Sequence, residues 1–97
     1  MNIEEFQRSL TGSEPPAGLS QALLGLWWDG RGDWEQAHSH AQDDEGPHGA
    51  WVHAYLHRKE GDRGNAGYWY RRAGKTFCEK SLPEEWLSIT QELLSAS

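Results

Sequence analysis

The clearest hydrophobic periodicity in the chain lies between Pro47 and Gly74, PHGAWVHAYLHRKEGDRGNAGYWYRRAG. Trp51, Val52, Ala54, Tyr55 and Leu56 share one broad arc of a helical wheel, which predicts a helix from about Gly49 to Glu60 with that arc buried and with His53 and His57 together beside it. Gly61 can end this helix in the left-handed conformation, and the Asp62 carboxylate can start the next by accepting its first free amides. Ala66, Trp69, Tyr70 and Ala73 then recur at spacings of three and four up to Gly74, so a second helix is expected to pack back antiparallel on the first.

Earlier in the chain the pattern is weaker but similar. Leu19, Ala22, Leu23, Leu24, Leu26, Trp27 and Trp28 cover too much of a helix for a narrow stripe, which places that helix near the middle of the fold. Asp29 to Gly32 is expected to stop it. Asp33 and Gln36 stand at capping-box spacing before a helix whose inward side carries Trp34, Ala37, His38 and Ala41. A short first helix from Asn2 to Leu10 presents Ile3, Phe6 and Leu10, and the Pro- and Gly-rich stretch from Thr11 to Gly18 is a linker. Ser81 and Glu84 cap a last helix reaching about Leu94, with Trp86, Ile89 and Leu93 inward. His48 is a candidate for capping its own helix. The expected architecture is one all-α domain over residues 1–97: a cap helix and linker over 1–18, a first helix pair over 19–45, a second over 47–74 and a cap helix over 81–94.

The two pairs are offset copies. Gly32-Asp33 and Gly61-Asp62 lie 29 residues apart, as do Ala37 and Ala66, Leu23 and Val52, Leu26 and Tyr55, and Trp27 and Leu56. With its acidic turn, Asp62, followed by Ala66, the Trp69-Tyr70 pair and Ala73-Gly74, the segment GDRGNAGYWYRRAG resembles the end of a Sel1-like repeat of the tetratricopeptide superfamily. The resemblance covers about residues 19–74. GDWEQAHSHAQ matches more weakly, and the 29-residue offset is shorter than the usual tetratricopeptide period of about 34. It implies an antiparallel helical-repeat domain that scaffolds protein contacts, and it supplies no catalytic residue.

Composition narrows the function classes. A mean hydropathy of -0.85 would suit a disordered chain, but six Trp placed at helical spacing argue for an aromatic-rich core. The net charge of -6 excludes general nucleic-acid binding, because phosphates repel an acidic surface. That charge is uneven: residues 1–46 carry two basic side chains against nine acids, whereas residues 47–97 carry seven against six. Such polarity could serve self-association into a homodimer, though ordinary solvated helix faces are the simpler account of the same count. Cys78 is the lone cysteine, so neither an intrachain disulfide nor a cysteine-rich zinc cluster is expected. No apolar run approaches the length of a bilayer span, and the acidic N-terminus is unlike a secretory signal; the expectation is a cytoplasmic protein without membrane partners.

Two groups of residues could carry chemistry. His53 and His57 form an H-x-x-x-H pair on one helix face, continued by Glu60, and Glu35 with His38 forms an E-x-x-H pair on the preceding helix. Imidazoles at i and i+4 converge, so the five residues are a candidate site for a divalent metal; the sequence H-A-Y-L-H excludes the zinc-protease motif, which needs Glu after the first His. His40 lies about 200° from His38 on the wheel and cannot face the same point. The alternative is that these histidines fill the boundary between core and solvent, each with one hydrogen-bond partner.

The second group is aromatic: Trp28, Trp34, Trp51, Trp69 and Tyr68 could line a groove between repeats for a peptide or protein, with Arg71 and Arg72 on its rim and Tyr68 the most exposed ring. Asp29 and Asp33 flank a Gly-rich turn without the ligand series of a phosphate or calcium loop, and are read as turn chemistry. A protein- or peptide-interaction module, alone or as a homodimer, is thus the leading expectation, with a metal-binding protein or metal-dependent enzyme using the His/Glu cluster the alternative and no organic cofactor implied.

Overall fold

A computed structural model describes residues 1–96 and contains six helices, with no strand among the described residues. They are α1 (Ile3–Ser9), α2 (Gln21–Gly30), α3 (Trp34–Asp43), α4 (Pro47–Lys59), α5 (Arg63–Ala73) and α6 (Leu82–Ala96). Local chemistry sets most of the boundaries. Asp33 and Asp62 accept the amides of Gln36 and Asn65, both at 3.1 Å, and Ser81 and Glu84 exchange the two bonds of a capping box. Two caps add to those expected: Ser20 accepts from the Leu23 amide, and Asn2 and Glu5 close a second capping box. α2 ends at Gly30, inside the expected Asp29 to Gly32 stop, and Gly32 is the residue that turns left-handed.

Both interhelical turns use the same hydrogen bonds at the 29-residue offset. The amides of Asp33 and Asp62 donate to the carbonyls of Trp28 and His57, each at 2.9 Å, while Gly32 and Gly61 adopt φ of 82° and 90°. This is the pattern by which a glycine just past a helix end satisfies its last carbonyls. α2 packs on α3 and α4 on α5 across these turns. The matched pairs Leu23 and Val52, Leu26 and Tyr55, Trp27 and Leu56, and Ala37 and Ala66 are all buried.

α4 is the centre of the molecule, packed by α2, α3, α5 and α6. Every residue from Gly49 to His57 is buried, which corrects the expectation of a single buried arc: the helix has no solvent face along this stretch. α2, expected near the middle, packs on α3, α4 and α6 and buries six of its ten residues, with Leu24 and Trp28 half-buried. Close approach explains how so many helices reach α4. A side chain at Gly25 would press on the Ala37 carbonyl and on Val52, and one at Gly49 would overlap the Asp44 main chain. α4 begins at Gly46 and Pro47 with no side-chain cap, so exposed His48 does not serve as one. Leu26, Leu56 and Ile89 are fully buried, each contributing about 2 kcal/mol of transfer free energy. Phe6 of α1 packs on Trp86 of α6, and the Trp86 indole donates to the Leu26 carbonyl at 2.9 Å. No helix among the described residues is long and apolar enough to cross a membrane.

Two carboxylates are buried against α4. Asp29 accepts from Tyr55 Oη at 2.7 Å and from Lys59 Nζ at 2.8 Å; Glu85 accepts from Tyr70 Oη and from Arg58 Nε at 3.0 Å. Burial, reinforced by the adjacent carboxylate, pushes both phenols far above their ordinary range, so each stays a donor. Removing Glu85 would strand the Arg58 guanidinium, whose side chain is only 12% exposed. Glu85→Ala is therefore expected to cost about 3–5 kcal/mol in urea unfolding, whereas a loss under 1 kcal/mol would show that solvent already screens the pair.

Candidate metal centre

α3 and α4 bring three histidines to one point. His38 comes from α3, and His53 and His57 come from successive turns of α4, where a spacing of four residues puts both rings on one side. His38 Nε2 and His53 Nε2 are 2.9 Å apart, and the ring centroids lie 4.6 Å (His38–His53), 4.8 Å (His53–His57) and 5.3 Å (His38–His57) from one another. One ligand nitrogen from each ring lies within 4.8 Å of the other two. Glu60, one turn beyond His57, accepts from its Nδ1, which leaves His57 Nε2 for the shared point.

Tryptophans hold the rings in place. Trp34 stacks on His38 with centroids 4.9 Å apart and an interplanar angle of 11°, and its indole donates to the Leu56 carbonyl at 3.0 Å. Trp69, projected from α5, stacks on His53 at 3.9 Å and 14°. His53 and His57 are buried and His38 half-buried, so the cluster sits just beneath the surface.

The electrostatics favour uncharged rings at His53 and His38. Burial, followed by the neighbouring His38 and His57, lowers the His53 pKa from 6.5 to about 4. His38 is lowered as well, by burial first and His57 second, against an opposing pull from Glu60. Neutral rings can form the His38–His53 hydrogen bond in the correct donor-acceptor sense, and they carry the lone pairs a metal needs.

Of the five residues expected to gather, the structure unites His38, His53 and His57, with Glu60 behind His57. Glu35 is exposed and outside both groups of converging donors. Its place against His38 is taken by Trp34, four residues back and therefore on the same helix face, where an apolar ring packs better than a carboxylate. His57, Glu60 and Asp62 form a second, more exposed donor group that shares His57. His40 turns away to Gln21 Oε1 at 2.7 Å.

The aromatic residues expected along one groove occupy three places. Trp51 is buried, with Lys75 Nζ 4.1 Å from its ring centroid; half-buried Trp28 packs edge-on against Trp27 at 5.0 Å; Trp34 and Trp69 wall the histidines. Tyr68 is 44% exposed and donates nothing inward; instead its hydroxyl accepts from Arg72 Nη1 at 3.1 Å. Arg71 is exposed beside them. The role of Trp69 at His53 escaped the periodicity, which marks Trp69 only as inward-facing. Comparison of the chain with protein-family models, with curated proteins and with solved structures finds no match.

A base whose pKa is depressed in the folded state binds protons more readily when unfolded. The metal-free protein should therefore hold its full His53 contribution above pH 6.5 and lose it as the pH falls toward about 4. His53→Phe, which keeps a ring against Trp69, should flatten this part of the profile of melting temperature against pH between 4 and 7; parallel profiles for the two proteins would mean that the imidazole is not held neutral by its surroundings.

Proposed function

We propose that this chain is a small helical domain that binds one first-row transition-metal ion through His38, His53 and His57. The observation that carries the reading is the convergence of three imidazole nitrogens, from two helices, within 4.8 Å of one another. Neutral imidazoles suit Zn(II), Cu(II), Ni(II) and Co(II) and disfavour Mg(II) and Ca(II), which prefer oxygen. Two nitrogens on one tetrahedral zinc lie about 3.3 Å apart, given Zn–N bonds of about 2.0–2.1 Å. The His38–His53 separation of 2.9 Å is short of that by a few tenths, a change within reach of small ring rotations, and binding would exchange their mutual hydrogen bond for two metal bonds.

Glu60 completes the support. By holding His57 Nδ1 it fixes the ring orientation and raises the basicity of Nε2, as carboxylates behind metal-bound histidines do. Three protein ligands leave a fourth position open, the arrangement of zinc sites that bind or act on a further molecule. The wider architecture reads as Sel1-like or tetratricopeptide-like, supported by the two equivalent turns, and the lone Cys78 without a disulfide is consistent with a cytoplasmic setting. A protein- or peptide-binding role, including homodimer formation, stands as a second reading, favoured by the exposed Tyr68 beside Arg71 and Arg72.

Calorimetric titration of the chelator-treated protein with Zn(II) should give one ion per chain. His53→Ala and His38→Ala should each weaken binding at least tenfold, and Glu60→Gln by about 10- to 100-fold. At a free zinc concentration 100 times the dissociation constant, the metal should add about 2.7 kcal/mol to stability. Equal zinc binding by the wild type and a variant lacking all three histidines would remove the reading, as would no binding by either.

A further inference from the structure

Beside the three histidines, between the end of α3, the start of α4 and the face of α5, lies a cavity of about 380 Å³. His53 is the one histidine of the cluster that lines it, so a metal bound to that ring would lie next to the cavity. The opposite chemistry comes from α5. Trp69, stacked on His53, also lines the cavity, and the Arg72 guanidinium lies 5.2 Å from the Trp69 ring centroid. Arg72 makes no ion pair among the described residues; its one hydrogen bond goes to the Tyr68 hydroxyl, a neutral acceptor. Arg8, Arg31, Arg71 and Lys80 likewise make no ion pair among the described residues, but none of these four lines the cavity. Arg58, Lys59, Arg63 and Lys75 each have a carboxylate within 3.3 Å.

We infer that the cavity is a subsite for a small carboxylate, with one end on the open coordination position of the metal and the charge shared with Arg72. This rests on the metal reading. Guanidinium groups match carboxylates geometrically and electrostatically, and Ala50 and Trp69 give the carbon end an apolar wall. Asp44 and Glu45 also border the cavity and oppose an anion; Asp44 Oδ1 is already an acceptor for the Gly46 amide. Without metal these two carboxylates outweigh Arg72, and the cavity repels anions. A bound divalent ion reverses the balance by placing three positive charges against two negative ones. Carboxylate binding is therefore conditional on metal, and by reciprocity the carboxylate must raise metal affinity by the same factor.

The test uses Co(II) as the metal and acetate as the probe, with acetamide as its uncharged counterpart. The visible absorption of the Co(II)-loaded full chain reports the coordination sphere, so acetate should shift it and acetamide should not. Arg72→Met should weaken the acetate response at least tenfold while leaving the acetate-free Co(II) spectrum unchanged, and Arg72→Lys should restore part of the response. Acetate should also tighten Co(II) binding by the factor that the absorption titration gives. If no ligand-field spectrum forms before acetate is added, the metal reading fails and this inference falls with it. If the spectrum forms but ignores acetate, or responds equally in Arg72→Met, the metal reading stands and the Arg72 subsite is overturned.

Discussion

A helix buried on every side has to find partners for each polar side chain it carries, and that constraint on α4 shapes the rest of the molecule. Between Gly49 and His57 no residue of α4 reaches solvent freely, yet the segment contains His53, Tyr55 and His57 and is followed by Arg58 and Lys59. Unpartnered, the buried groups among these would each cost several kcal/mol. Three of the four neighbouring helices bring a matched group: His38 from α3 meets His53, Asp29 from α2 meets Tyr55 and Lys59, and Glu85 from α6 meets Arg58, while His57 is met by Glu60 at the end of α4 itself. No buried side-chain nitrogen or oxygen among the described residues is left without a hydrogen bond. Polar pairing of this kind is directional, so it fixes how the helices turn about α4 in a way that apolar contact alone does not.

Much of the fold was legible because it depends on local rules. Asp33, Asp62 and Ser81 announce helix starts by their side-chain acceptors, Gly61 and Gly74 announce stops, and the 29-residue offset identifies equivalent turns before any coordinate is known. What the pattern missed is non-local. Asp29 reads as part of a Gly-rich turn, and only the packing of α2 on α4 shows that its carboxylate is buried under Tyr55 and Lys59. The all-round burial of α4 is hidden in the same way, because His53 and His57 count as polar on a helical wheel until the Trp rings that cover them are in place.

The candidate site shows the same division. The i, i+4 spacing put His53 and His57 on one face, and the inward pattern of α3 pointed His38 toward them. Glu35 went astray because an E-x-x-H pair on a helix leaves about 60° between its two members, enough for one to face the core and the other water. Trp34 lies closer in angle to His38, and an indole stacked on an imidazole buries area that a carboxylate would have to desolvate.

The repeat itself bears on whether the histidines are there only to pack. At the 29-residue offset, His53 corresponds to Leu24, His57 to Trp28 and His38 to Gly67. The first unit thus uses apolar groups at the two α4 positions, and its turn and its small-residue contacts form with the same geometry. Burial lowers the His53 pKa to about 4, so that ring stays neutral in the folded protein at neutral pH and, unlike an apolar side chain, brings ring nitrogens into the interior that need partners. His53 finds its partner in His38, and His57 finds its partner in Glu60. Polar rings where the first unit has Leu24 and Trp28 are what the repeat contributes in support of the metal proposal.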